Sequence, residues 1–101
     1  MSWAISAVES LKKGEIVTVK PTGNSMVPKI YSKDAVTIAP VGDKELHKND
    51  IVLARVNGKY YLHLIKGVGK KKFLIGNNQG HINGWARRKN IFGIATRVEK
   101  E

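Results

Sequence analysis

An Asn-Gly dipeptide at positions 57 and 58 does more than any other feature to restrict the fold of this chain. A two-residue type I′ turn needs positive φ at both central positions, and Asn followed by Gly adopts this most readily. The flanking segments 51–56 and 59–65 are rich in β-branched and aromatic residues, as strands are. We therefore predict a β-hairpin that turns at Asn57-Gly58.

The register of this hairpin decides where a histidine lies. Counting outward from the turn pairs Val56 with Lys59, and four further residues then share one sheet face: Val52, His63, Ala54 and Tyr61. Burial on such a face lowers the pKa of a histidine because it disfavours the charged imidazolium. A neutral imidazole at pH 7 is the form that a general base requires. His63 is therefore a candidate general base.

The apolar periodicity elsewhere predicts a short helix followed by strands. Four apolar residues recur at helical spacing near the start, and Gly14 follows as a stop signal: Ala4, Ala7, Val8 and Leu11. From residue 15 the period changes to two, and 16–20 and 35–39 also read as strands. With 101 residues, of which 42% are hydrophobic, the chain can bury one modest core. We predict one domain over 1–101, with the helix in 1–14 and a β core in 15–101.

Ser25 lies within the motif Gly-Asn-Ser-Met-Val-Pro at residues 23–28. A serine beside a Gly-containing turn, with a lone histidine on a distant strand, is typical of a nucleophile and its general base. Each residue also has a simpler interpretation. Ser25 alone is more often a turn residue bonded to nearby backbone, and His63 alone is more often a packed strand residue.

Six segments, at residues 23–28, 33–38, 48–53, 62–65, 75–78 and 91–95, form an ordered series of motifs. This series resembles the sequence boxes of the LexA/signal-peptidase superfamily of serine peptidases, from about residue 15 onward. The resemblance implies a mainly β fold, namely a coiled, mostly antiparallel sheet with a short N-terminal helix. It also implies that Ser25 is the nucleophile. His63 stands at the base position, where endoplasmic-reticulum signal peptidases carry His and repressors and bacterial signal peptidases carry Lys.

Two amides complete the site that this resemblance implies. Asn24 matches the Asp of the repressor-type Gly-Asp-Ser-Met motif, and its side chain is a candidate donor to an oxyanion. Asn77 stands where signal peptidases carry the Asp of Gly-Asp-Asn, so its amide oxygen is expected to orient His63. An amide does not offset the charge of an imidazolium, and such a site is expected to be slow. For Asp34 and Asp50 we predict a structural role, as caps of turns that lead into strands.

Residues 76–85 contain three Gly and three Asn, which predicts a looped excursion between a strand ending near Ile75 and a last strand over 91–98. Its amides are candidates for reading the backbone of a bound peptide. The alternative is a loop bonded to itself, with Trp85 filling the core.

Charge and composition limit the classes of partner. The net charge of +10 is spread along the chain, and the densest clusters, 70–72 and 87–89, fall on a predicted hairpin tip and a loop. No aromatic residues interleave with them, so nucleic-acid binding is only weakly supported. No segment approaches the roughly 20 apolar residues of a membrane span, and the chain has no Cys, which favours the cytoplasm. We expect no metal or other cofactor, because the three His are widely spaced.

The prediction is a cytoplasmic serine endopeptidase-like protein that cleaves a peptide or protein substrate with a Ser25/His63 dyad. The first alternative is a weak or inert peptide-binding module of the same fold. The second is a basic nucleic-acid-binding protein, which rests on charge alone.

Overall fold

The computed structural model describes residues 3–101, which form one short helix, seven strands and a 3₁₀ turn. The helix α1 is Trp3–Lys12. The strands are β1 (Val17–Val19), β2 (Ala35–Pro40), β3 (Ile51–Val56), β4 (Lys59–Val68), β5 (Lys72–Gly76), β6 (Ile82–Arg87) and β7 (Ile91–Glu99), with the 3₁₀ turn Arg88–Asn90 before β7. The predicted mainly β fold with an N-terminal helix is confirmed.

All seven strands belong to one sheet in the order β1-β2-β7-β3-β4-β5-β6. Every neighbouring pair is antiparallel. The last strand, β7, lies between β2 and β3, so it joins the early part of the sheet to the central hairpin. The strands β1 and β6 form the two edges.

The hairpin β3-β4 has the predicted register. Asn57 and Gly58 have φ of 52° and 83°, as a type I′ turn requires. Val56 pairs with Lys59, and Val52 pairs with His63. A local turn signal therefore fixed the position of a histidine that lies five residues farther along the chain.

Two apolar clusters cover the two faces of the sheet. The first joins the apolar side of α1 to the sheet and includes Ala4, Ala7, Val8, Leu11, Met26, Ile30, Val36, Ile38, Leu53, Leu62 and Leu64. The second includes Leu46, Val52, Ala54, Val56, Ile65, Ile75, Ala86 and Ile91. Adjacent residues such as Val52 and Leu53 belong to different clusters, which follows from the period of two along a strand. The apolar residues of α1 thus pack against the sheet of their own chain.

The segment predicted as a loop over 76–85 contains β6, so that prediction was wrong in part. Gly84 has φ of 139°, and a Cβ placed there would lie 3.1 Å from Cγ1 of Val56. The glycine thus allows the strand to approach the second cluster closely, although the segment lacks strand-like alternation. Trp85 does not fill the core. Its side chain is exposed, and Nζ of Lys72 lies 4.9 Å from the centre of its ring.

Gly93 of β7 is expected to be essential for stability. A Cβ placed on it would lie 2.5 Å from Cγ2 of Ile38 and 2.9 Å from Cδ1 of Leu11. Gly93→Ala should therefore lower the free energy of unfolding in urea by about 1–3 kcal/mol, as overpacking of a core does. Gly67→Ala is the matched control in β4, since the nearest atom to its Cβ is 3.6 Å away. Equal losses in the two variants would contradict the expectation.

Candidate active site

Ser25 and His63 meet although 38 positions separate them. The Ser25 hydroxyl lies 3.2 Å from Nε2 of His63, within hydrogen-bonding distance. Ser25 belongs to the turn that follows β1, whereas His63 lies in the middle of β4. The structure thus brings together the two residues predicted as nucleophile and base.

The turn that carries Ser25 is anchored by two of its own residues, which belong to the first apolar cluster. Met26 and Ile30 are both buried there, and the N–H of Ile30 donates to the carbonyl of Met26 at 2.9 Å. The N–H of Val27 donates to the carbonyl of Asn24 at 3.2 Å. Ser25, between these anchors, is only partly buried. The turn therefore leaves Ser25 partly accessible while Met26 and Ile30 are fixed in the core.

The connection between β5 and β6 also holds the Ser25 turn, through hydrogen bonds from Asn78 and Gln79. The N–H of Asn78 donates to the carbonyl of Ser25 at 2.9 Å, and the side-chain amide of Asn78 donates to the carbonyl of Val27 at 3.0 Å. The amide of Gln79 reaches the same Val27 carbonyl at 2.6 Å. The side-chain amides of Asn78 and Gln79, predicted as candidates for binding a peptide backbone, therefore bind the backbone of the Ser25 turn instead. Sequence reasoning missed this function because the contact spans more than fifty residues.

The residue at the other ring nitrogen of His63 is Asn83. Its side-chain oxygen lies 2.6 Å from Nδ1 of His63. An amide oxygen only accepts, so Nδ1 carries the proton and Nε2 has a free lone pair directed at the Ser25 hydroxyl. This is the tautomer that a general base requires.

Asn77, predicted to orient His63, binds other groups instead. Its side-chain oxygen accepts from the N–H groups of Gln79 at 2.8 Å and His81 at 2.9 Å, so it shapes the connection between β5 and β6. Asn83 takes the position at His63 because of a β-bulge. Ile75 pairs with Gly84 and Gly76 pairs with Ile82, which leaves Asn83 unpaired, and bulges characteristically redirect a side chain.

His63 is nearly enclosed, with 8% of its surface exposed, and the ring of Tyr61 stacks on it with centres 5.0 Å apart. Burial is the main cause that lowers the pKa of His63 below its ordinary value. The hydrogen bond to Asn83 opposes this shift, and the charge of His81 adds to it. The predicted direction of the shift is confirmed, and the imidazole is neutral at pH 7.

Comparison with known proteins identifies the family. A sequence model described as Peptidase S24-like matches residues 3–95, which is most of the chain. The chain belongs to this family. The comparison with curated proteins gave no match. The resemblance to the LexA/signal-peptidase superfamily is thereby confirmed for the S24 branch. Separately, no helix in residues 3–101 is long and apolar enough to cross a membrane.

Free backbone donors lie beside Ser25 of this Peptidase S24-like chain. Within residues 3–101, the N–H groups of Ser25 and Met26 donate to no protein acceptor. The side chain of Asn24 is exposed and lines the open cleft beside Ser25. These groups are the candidates for holding an oxyanion, and the role of Asn24 as a side-chain donor stays a prediction.

Two clefts flank Ser25. The smaller, of about 30 Å³, is lined in part by the buried apolar residues Met26, Ile30 and Leu62. The larger, of about 400 Å³, is open and is lined by Asn24, Val27 and Gln79. Tyr31 lines both clefts. A chain lying across Ser25 would therefore meet a narrow recess on one side and a wider, open cleft on the other.

The two aspartates predicted as caps have that role. The N–H of His47 donates to Asp50 at 2.8 Å, and the N–H of Tyr31 donates to Asp34 at 2.8 Å. Asp34 is buried and also binds Lys100 at 3.0 Å. The bond from the Tyr31 N–H is the main cause that lowers the pKa of Asp34. Asp34 thus fixes the backbone of the tyrosine that lines both clefts.

The reactivity of Ser25 is expected to depend on pH through His63. Because the pKa of His63 lies below 6.5, the neutral base persists at pH 7 and is lost only as pH falls through that lowered value. The rate at which a fluorophosphonate labels Ser25 should therefore be level at neutral pH and fall on the acid side. Titration of the His63 ring by NMR should give the same midpoint. A labelling midpoint above 7 would contradict the assignment of His63 as the base.

Proposed function

We propose that this Peptidase S24-like protein is a serine peptidase in which Ser25 is the nucleophile and His63 the general base. The observation that carries the proposal is the continuous hydrogen-bonded chain from the Ser25 hydroxyl through both ring nitrogens of His63 to Asn83. Nucleophile, base and orienting group in this order are the constellation of serine hydrolysis. The cytoplasmic location stays a prediction from composition.

In the proposed mechanism, Nε2 of His63 takes the hydroxyl proton as Ser25 Oγ attacks the carbonyl carbon of a peptide bond. The negative charge moves to the carbonyl oxygen, where the N–H groups of Ser25 and Met26 and the Asn24 amide are available as donors. The C–N bond then breaks, and the protonated His63 gives its proton to the leaving amine. Water, deprotonated by His63, hydrolyses the resulting acyl-enzyme and restores Ser25.

The clefts support an extended peptide as the substrate. The recess of about 30 Å³ suits a small side chain next to the cleaved bond, since Met26, Ile30 and Leu62 of the first cluster form part of its wall. The open cleft of about 400 Å³ offers the exposed Asn24 to polar groups of the chain on its other side. A peptide or protein substrate therefore remains the proposed partner.

One observation favours a second candidate, a peptide-binding module with little or no turnover. The group at Nδ1 of His63 is the amide of Asn83, which carries no charge to stabilise an imidazolium. In that case the clefts would bind a peptide and Ser25 would not form an acyl-enzyme at a useful rate.

Reaction with a fluorophosphonate, followed by mass-spectrometric mapping of the labelled residue, separates the two candidates. The peptidase predicts stoichiometric modification of Ser25 at pH 7–8. The binding module predicts a folded protein that binds peptides but stays unlabelled. Labelling at a serine other than Ser25 would overturn the proposed mechanism.

A further inference from the structure

An open groove of about 540 Å³ lies between the end of α1, the turn after β2 and the start of β7. Its accessible apolar part consists of Pro40, Val41 and Phe92, which are partly exposed, and the buried Leu11 and Ile91 also line it. Its cations are Lys12, Arg88 and Lys89. We call this surface the basic groove. None of its lining residues lines either cleft beside Ser25.

The charge of the basic groove is not neutralised within the described chain. No carboxylate side chain of residues 3–101 lines it, and none of its three cations forms an ion pair there. The guanidinium of Arg88 instead donates to the backbone carbonyls of Gly42 at 3.0 Å and Lys44 at 2.5 Å. These bonds hold the turn that forms one wall and leave the positive charge of Arg88 uncompensated.

We propose that the basic groove binds an acidic peptide segment of a partner protein that carries a bulky apolar side chain. Charge complementarity requires an anionic partner, and the apolar residues of the groove give an aliphatic or aromatic side chain a place to be buried. A free inorganic anion would use the cations and leave the apolar surface uncovered.

The aromatic contacts favour a peptide over a nucleic acid. Phe92 is the only aromatic residue that lines the groove in the described chain, and its ring already contacts Tyr60 with centres 6.0 Å apart. Nζ of Lys12 lies 5.5 Å from the centre of the same ring. Bases need free aromatic faces on which to stack, and this groove offers no such platform.

Binding can be measured by fluorescence anisotropy at low salt with a labelled peptide in which glutamates flank a central Leu-Phe-Leu. The double variant Lys12→Glu/Lys89→Glu, whose sites are exposed, should weaken binding by about tenfold or more. Lys70→Glu/Lys71→Glu at the β4-β5 turn changes the net charge equally and should weaken binding by less than about threefold. A peptide with Ser-Ser-Ser at its centre should bind less tightly than the Leu-Phe-Leu peptide.

Three results would overturn the proposal. Equal weakening in both double variants would mean that only the overall charge matters. Equal affinity for the Leu-Phe-Leu and Ser-Ser-Ser peptides would remove the apolar site. Tighter binding of a labelled oligothymidylate, sensitive to Lys12→Glu/Lys89→Glu, would make the surface a nucleic-acid site.

A measurement on the unmodified chain avoids any dependence on how the variants fold. Addition of the Leu-Phe-Leu peptide should shift backbone amide NMR signals of residues 11–14, 41–42 and 88–92. Shifts confined to the turn of Ser25 would instead place the peptide in the clefts and overturn the proposal. Because the groove and the clefts share no lining residue, fluorophosphonate labelling tests the proposed peptidase activity separately.

Discussion

Ser25→Ala is expected to abolish both fluorophosphonate labelling and peptide cleavage. In the proposed mechanism the hydroxyl oxygen forms the acyl bond, and within residues 3–101 the nitrogen Nε2 of His63 has no other hydroxyl within bonding distance. His63→Ala should reduce the labelling rate by about 10³-fold or more, because nucleophile and base act as a unit and the loss of either removes most of the rate. The double variant should be little worse than either single one.

Matched controls separate this effect from general damage. Ser6→Ala removes an exposed hydroxyl from α1, and His47→Ala removes an exposed imidazole from the turn before β3. Both should label at the rate of the unmodified protein. Labelling that persists in Ser25→Ala, or an equal loss in His47→Ala, would refute the dyad.

The sequence was sufficient to position His63 because the determining signal is local. The Asn57-Gly58 turn sets the hairpin register, and the register sets the face on which His63 lies. The turn of Ser25 was recognisable for a similar reason, since Gly, Asn, Ser and Pro within six residues leave few backbone alternatives. What the residues alone could not give was the 3.2 Å contact between Ser25 and His63, which depends on how α1 and β4 enclose Met26 and Ile30.

The residue at Nδ1 of His63 was missed because its position depends on a bulge in the pairing of β6 with β5, which the sequence pattern does not predict. The motif that resembles the signal-peptidase box led to Asn77, whose side chain in fact shapes the β5-β6 connection. Asn83 reaches His63 only because of the bulge in β6, a strand whose Gly and Asn content predicted a loop. The hydrogen bonds from Asn78 and Gln79 to the Ser25 turn were missed because they join segments more than fifty residues apart. Gly76 and Gly84, at the ends of this apparent loop, were the available signs of a close approach, since a Cβ on either would crowd a neighbouring atom.

Asn83→Asp is expected to increase the reactivity of Ser25, by roughly 10- to 100-fold, because it places a carboxylate at Nδ1 of His63. The side-chain oxygen of Asn83 already lies 2.6 Å from that nitrogen, so the substitution keeps the hydrogen bond and adds a negative charge. The charge stabilises the imidazolium that forms as Ser25 attacks. Asn83→Ala should have the opposite effect, since it leaves the tautomer of His63 unrestrained.

The same substitution has an expected sign in the titration of His63. Burial now lowers the pKa of this histidine, whereas a neighbouring carboxylate favours the protonated ring and raises it. The acid limb of the labelling rate should therefore move to higher pH in Asn83→Asp, and the gain in rate should appear mainly above neutrality. Asn77→Asp is the matched control, because it adds the same charge at a residue that bonds Gln79 and His81. The NMR titration of His63 and the labelling rate should shift far less in the control. If a folded Asn83→Asp protein shows the unchanged titration of His63, then Asn83 does not orient the base, and the binding module with little turnover becomes the better account of this site.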